Sequence, residues 1–212
     1  HPGSAGDGAA RTTSRHAPNA TWLGGTSTII GQCEERNDKA GIVAEAGGTD
    51  TAAVNRLRNQ EIRLAVEQGL TVLYCIGEKS EEQERWQEVL GEQLSVGREG
   101  VDTSKVVSGY EPVWSIGQGK TPAGKDYITK IARFVKERTG GLDVVYGGGL
   151  KVDNDVMLAP IEEIDGGLIA LTRFQGATGC YTADYMQIRK RIRVNTGTTD
   201  THHEFDLVHE TH

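Results

Sequence analysis

Apolar and polar positions along the chain alternate between two periods. Five short, β-branched runs stand out: Ser27–Ile30, Thr71–Ile76, and residues 105–110, 143–146 and 167–171. Each is long enough for a buried parallel strand and too short for a helix. Between them the spacing becomes helical. Residues 50–68 put Val54, Leu57, Ile62, Ala65 and Val66 on one stripe, with Asp50 as the cap and Gly69 as the stop. Ser80 and Gln83 form a capping-box pattern ahead of Trp86, Val89, Leu90 and Leu94. A third helix is expected to start near Pro122, bury Tyr127, Ile128, Ile131, Phe134 and Val135, and end before Gly140 and Gly141. Thr182 caps a last one, residues 183–192, with Tyr185, Met186 and Ile188 as its apolar side.

Strand–helix alternation with short links predicts an α/β fold with a parallel sheet, either open and doubly wound or closed into a barrel. The first strand is followed by Gly31-Gln32-Cys33-Glu34-Glu35-Arg36 rather than by the glycine pattern of a dinucleotide-binding turn. In either architecture the polar groups after strand ends mark the active site. Composition adds bounds. Of 212 residues 36% are hydrophobic and 25% charged, the balance of a globular domain. The net charge of −7 leaves no basic face for a nucleic-acid backbone or an anionic membrane. No apolar run reaches the roughly 18 residues of a membrane span, so the expectation is a cytoplasmic protein with no membrane partner. Cys33, Cys75 and Cys180 have no metal-ligand spacing and read as free buried thiols. The polar ends, residues 1–20 and 194–212, read as a loop or remnant and a tail flanking a domain at 21–193.

The most informative stretch is Tyr110-Glu111-Pro112-Val113-Trp114-Ser115-Ile116-Gly117-Gln118-Gly119-Lys120-Thr121-Pro122. A carboxylate ends a buried strand and is followed by an apolar segment between a proline and two glycines. That is the order expected of a general base in front of a lid. Pro112 stiffens one side, while Gly117 and Gly119 let backbone amides approach an anion and let the tip move. A closed apolar tip of Val113, Trp114 and Ile116 excludes water and protects a reactive intermediate.

This segment resembles the glutamate and hinged lid of the triosephosphate isomerase family, a standard example of a lid closing over a carboxylate base. Other stretches fall in the same order. Gly31-Gln32-Cys33-Glu34-Glu35-Arg36 is similar to the family's Gly-His-Ser-Glu-Arg-Arg after the fourth strand, and Cys75-Ile76-Gly77-Glu78 to its Cys-Ile-Gly-Glu after the fifth. Tyr146-Gly147-Gly148-Gly149 is similar to Tyr-Gly-Gly-Ser after the seventh, and residues 164–168 to the approach to the eighth. The resemblance spans residues 21–192 and implies a (β/α)₈ TIM barrel, of which this chain supplies about the last five β/α units. It implies an aldose–ketose isomerase of three-carbon sugar phosphates, a homodimer with no cofactor and no metal. Glu111 is then the base, Gln32 stands where the family has its electrophilic histidine, and Glu34 is a supporting carboxylate. The phosphate is held by Gly117, Gly149 and the Ala170-Leu171 turn, with Arg173 as an added cationic fork.

Three departures change the expected chemistry. Gln32 can donate a hydrogen bond but cannot shuttle a proton as an imidazole does. Ala170-Leu171 replaces a glycine pair and Gly149 a serine, a remodelling that suits a four-carbon ketose phosphate as well as a triose phosphate. The first three strands, with the Asn and Lys that the family uses on its first strand, have no counterpart here. A barrel relative that binds a phosphorylated ligand or a partner with little turnover is therefore the competing expectation.

Overall fold

The computed structural model describes residues 17–196 apart from 49, 51, 118, 171 and 173–178, with the helical ends 17–19 and 193–196 described by backbone only. The elements run α1 (Ala17–Trp22), β1 (Ser27–Ile30), α2 (Cys33–Glu45), α3 (Ala53–Glu67), β2 (Thr71–Ile76), α4 (Trp86–Gly97), β3 (Val106–Tyr110), α5 (Lys125–Thr139), β4 (Val144–Tyr146), α6 (Asp155–Leu158), β5 (Gly166–Gly167) and α7 (Thr182–Thr196). Strand order is β1-β2-β3-β4-β5, so this is an α/β fold with a five-stranded parallel sheet. Chain-order parallel strands with helical connections are what consecutive β/α units of a barrel supply. Among the described residues no helix is long and apolar enough to cross a membrane.

The chain divides into two compact units, one formed by residues through Ile76 with Arg85–Val107 and the other by Gly77–Glu84 with residues from Ser108 on. In the first, β1 and β2 pair from Ser27↔Thr71 to Ile30↔Tyr74. β2 is buried after its first residue, as a parallel strand covered on both faces requires. The face that α3 buries differs from the expected stripe. Ile62 and Ala65 are buried, but Val54, Leu57 and Val66 are half-buried, and the remaining buried positions are Asn55 and Arg58. Polar groups there have partners that apolar side chains lack. The capping box at Ser80 and Gln83 does not form. Ser80–Arg85 is a 3₁₀ turn, and it is Glu82 that accepts from the Lys79 amide at 2.9 Å.

In the second unit β3 and β4 pair from Ser108↔Val144 to Tyr110↔Tyr146, and β4 pairs β5 at Val145↔Gly166 and Tyr146↔Gly167. β5 is shorter than the expected 167–171, although the Leu168 amide continues the ladder to the Tyr146 carbonyl at 2.9 Å. α5 begins at Lys125 rather than near Pro122, and Ile128, Ile131, Phe134 and Val135 are buried while Tyr127 is half-buried. Gly140, at φ +73°, ends the helix as expected. Met186 is 50% exposed and does not join the apolar side of α7; among the described side chains of that helix Ile188 is buried and Tyr185 half-buried. None of the three cysteines forms a disulfide, and only Cys75 is buried; Cys33 is half-buried and Cys180 exposed.

Candidate active site

Glu111 follows the last residue of β3, a strand buried along its whole length, and is itself 5% exposed. Its surroundings are shaped by three glycines, each without room for a side chain. A Cβ at Gly147, just past β4, would come within 2.9 Å of Glu111 Cγ and 3.4 Å of Oε1, so the carboxylate arm lies against bare backbone. A Cβ at Gly77 would sit 1.8 Å from the Glu111 carbonyl oxygen. One at Gly148 would lie 2.9 Å from Pro112 Cγ and 2.2 Å from the Tyr146 hydroxyl. The Gly147 amide also donates to the Tyr110 carbonyl at 2.8 Å, which aligns this turn with the strand that carries Glu111. The seat therefore fixes Glu111 by shape and permits no bulkier lining.

The segment after Glu111 is tethered at its near side. Pro112, at φ −63°, leads into the 3₁₀ turn Val113–Ser115, and Ser115 donates to the Pro112 carbonyl through both its amide, at 2.9 Å, and its hydroxyl, at 3.1 Å. Glu78 holds this turn twice: its carbonyl accepts from the Val113 amide at 3.1 Å and its Oε1 from Trp114 Nε1 at 2.7 Å. The same oxygen accepts from Tyr110 at 3.1 Å and Tyr127 at 3.0 Å, and Trp114 packs edge-on against Tyr127 with centroids 5.6 Å apart. Glu78 is fully buried and its Oε2 has no hydrogen-bond partner. Burial first, and then the negative charge of Glu78, push the phenols of Tyr110 and Tyr127 well above their ordinary range. Tyr146 is pushed up to about 12, mainly by burial.

Val113, Trp114 and Ile116 are half-buried on the tethered side, and the exposed part of the lid is Gly117, Gly119, Lys120 and Thr121. Gly117 at φ +114° and Gly119 at φ +74° take conformations that side chains resist. Gln118 lies outside the described residues. Of the expected phosphate-binding positions, Gly149 has φ +74°, and a Cβ there would lie 4.0 Å from the Ser115 carbonyl, next to the lid turn. Its carbonyl accepts from Asn154 Nδ2 at 3.1 Å. Ala170 is exposed, while Leu171 and Arg173 lie outside the described residues.

Gln32 and Glu34 belong to the first unit. Gln32 is half-buried at the start of α2, with its carbonyl accepting from the Arg36 amide at 3.0 Å, and Glu34 is exposed. The carboxylate that engages the turn is instead Glu35, whose Oε2 accepts from the Gly31 amide at 2.9 Å and whose Oε1 pairs with the guanidinium of Arg58. Arg36 donates to the Gly31 carbonyl at 2.9 Å, to Asn55 at 2.8 Å, to the Tyr74 hydroxyl at 2.9 Å and to the Cys75 carbonyl at 3.0 Å. Sequence reading missed Glu35, Asn55 and Arg58, and the part that Glu78 and Tyr127 play. The available signal was that positions 55, 58, 62 and 65 share one helical face, with a formal charge in the middle of it. Among the described residues no cluster of three or more His, Cys, Asp or Glu side chains could hold a metal.

The family model for triosephosphate isomerase matches residues 6–180. Among known proteins the chain is 36% identical over 169 residues to the triosephosphate isomerase of Treponema pallidum subsp. pallidum, covering 74% of this chain and 63% of that one. It is 36% identical over 118 residues to that of Mycoplasmopsis pulmonis, covering 54% and 47%. To that of Dictyoglomus thermophilum it is 32% identical over 158 residues, covering 68% and 58%. The chain thus spans between about half and just under two thirds of the length of these curated relatives. With a family match over most of its length, and a buried glutamate at the end of a strand followed by a proline and two left-handed glycines, the chain belongs to the triosephosphate isomerase family.

Proposed function

We propose that this chain carries the proton-transfer machinery of an aldose–ketose phosphate isomerase that interconverts dihydroxyacetone phosphate and glyceraldehyde 3-phosphate. The observation that carries the reading is Glu111, buried in its glycine seat beside the tethered start of the lid. Glu111 takes a proton from the carbon next to the substrate carbonyl, giving an enediolate, and returns it to the neighbouring carbon. Neither cofactor nor metal is needed for that step. Amides at Gly117, Gly149 and the Ala170-Leu171 turn, with Arg173, are assigned to the phosphate. Gln32 is assigned the hydrogen bond to the developing oxyanion, and Glu34 a supporting charge.

An amide donates but does not exchange a proton as readily as imidazole, so turnover is expected to fall about 10²–10⁴-fold below that of a histidine-bearing relative. Gln32 is also what favours the second reading, a barrel relative that binds a phosphorylated ligand with little catalysis. Ala170 in place of a glycine favours a slightly longer, four-carbon ketose phosphate. The family reading also brings a homodimer in the cytoplasm, and sedimentation of the intact protein tests the dimer. The activity itself is tested by following conversion of dihydroxyacetone phosphate, and separately of a four-carbon ketose phosphate, for the intact protein and Glu111→Gln. Conversion that Glu111→Gln abolishes supports the isomerase. Tight phosphate binding with equal, background conversion in both proteins supports the binding reading.

A further inference from the structure

We infer that Glu35, tethered by Arg58, is a positioning residue for Gln32, which it sets by clamping the turn at Gly31. The inference rests on the reading of Gln32 as the donor to the developing oxyanion. Gln32 is one residue past Gly31, which has φ +87° and where a Cβ would meet the Cys75 carbonyl at 2.8 Å. Both peptide groups leading into Gln32 are held by side chains of α2. The Gly31 amide donates to Glu35 Oε2 at 2.9 Å, and the Gly31 carbonyl accepts from Arg36 Nε at 2.9 Å.

Glu35 is in turn fixed from α3. Arg58, with no exposed side-chain surface, pairs with Glu35 and lies 2.8 Å from Glu61. Burial raises the Glu35 carboxyl, but the Arg58 hydrogen bond, the Gly31 amide and the charges of Arg58 and Lys39 together hold it below the ordinary range. Stability alone is a weak reason to bury a guanidinium on a face shared with Ile62 and Ala65, because apolar packing there commonly does as well or better. What the pair adds is a fixed orientation for the Gly31 turn. A glutamine has three side-chain torsions, one more than a histidine, so a donor built on it depends more on a rigid backbone beneath it.

The intact protein is compared with Glu35→Ala, Glu35→Gln and Arg58→Leu. Glu35→Ala is expected to lower kcat about 10- to 100-fold with KM nearly unchanged. Glu35→Gln keeps an acceptor for the Gly31 amide and should recover most of that loss. Arg58→Leu leaves both Glu35 and the nearly buried Glu61 without their cation, so it is expected to lower Tm as well as kcat, and the comparison of Glu35→Ala with Glu35→Gln is what separates the clamp from stability. Hydrogen exchange at the Gly31 amide reads the clamp without catalysis: protection falls in Glu35→Ala and is retained in Glu35→Gln. Unchanged Gly31 protection in Glu35→Ala overturns the inference, whether or not the protein is active. An unchanged kcat alongside lost protection overturns it too. If the unsubstituted protein shows no conversion while Gly31 protection responds as stated, the isomerase reading fails and the clamp stands.

Discussion

The Glu111 seat and the Gln32 turn hold their key residues by opposite means. Around Glu111 the packing is tight: glycines at 77, 147 and 148 leave no space for a side chain, and one buried carboxylate, Glu78, collects three neutral donors that fix the turn after Glu111. Around Gln32 the restraint is ionic: Glu35 and Arg36 hold two peptide groups through charged hydrogen bonds, and Arg58 pairs with Glu35. Close packing tolerates almost no substitution, and the phenols around Glu78 make that region sensitive to alkali rather than to acid. Charge tolerates a swap of equivalent groups but fails when a group is neutralised. The two regions should therefore break under different perturbations.

The largest effect is expected at Gly77. Gly77→Ala must displace the Glu111 carbonyl and should cost about 3 kcal/mol or more in denaturant unfolding, with activity lost alongside. Gly147→Ala presses on the Glu111 side chain rather than its backbone. A displacement near 1 Å should lower kcat by about 10²-fold with a smaller loss of stability, and a wild-type kcat would show that Glu111 is not held against that turn. Tyr127→Phe removes one of three donors to Glu78 and should cost about 1–2 kcal/mol by the same unfolding measurement.

Titration separates the regions further. Tyr110, Tyr127 and Tyr146 have raised phenol values, so they favour the folded state at and below the ordinary tyrosine range and lose that contribution as pH rises above it, for Tyr146 up to about 12. Glu35 has a lowered value, so its contribution is present above the ordinary carboxylate range and lost as pH falls below it. Amide exchange should show the lid turn loosening in alkali and the Gly31 turn in acid, with the acid effect absent in Glu35→Gln. The smallest effect is at Gly41, a helical position of α2 with nothing within 4 Å of an added Cβ. Gly41→Ala should gain about 0.5–1 kcal/mol and leave kcat alone.

How much of this could be read from residues follows the same division. Strands were legible because a parallel strand buried on both faces must be apolar throughout, as Thr71–Ile76 is. The place of Glu111 at the end of a buried strand was legible because the apolar run stops at Tyr110 and Pro112 follows at once. Glu78 was not, because its three donors come from residues 32 to 49 positions away in the chain. Arg58 was hidden by its own periodicity: local spacing put Val54 and Leu57 on the buried face, and only the partners Glu35 and Glu61 make the neighbouring polar face the buried one. The start of α5 slipped from Pro122 to Lys125 because Gly124, at ψ 157°, is extended and ends the irregular stretch just ahead of the helix.

The central claim is that Glu111 moves a carbon-bound proton, and it is met most directly by solvent isotope exchange. Dihydroxyacetone phosphate incubated with the intact protein in deuterated water should gain deuterium at the carbon that loses its proton, and Glu111→Gln should reduce the label to background. Labelling at equal rates in both proteins, or none in either at saturating substrate, contradicts it.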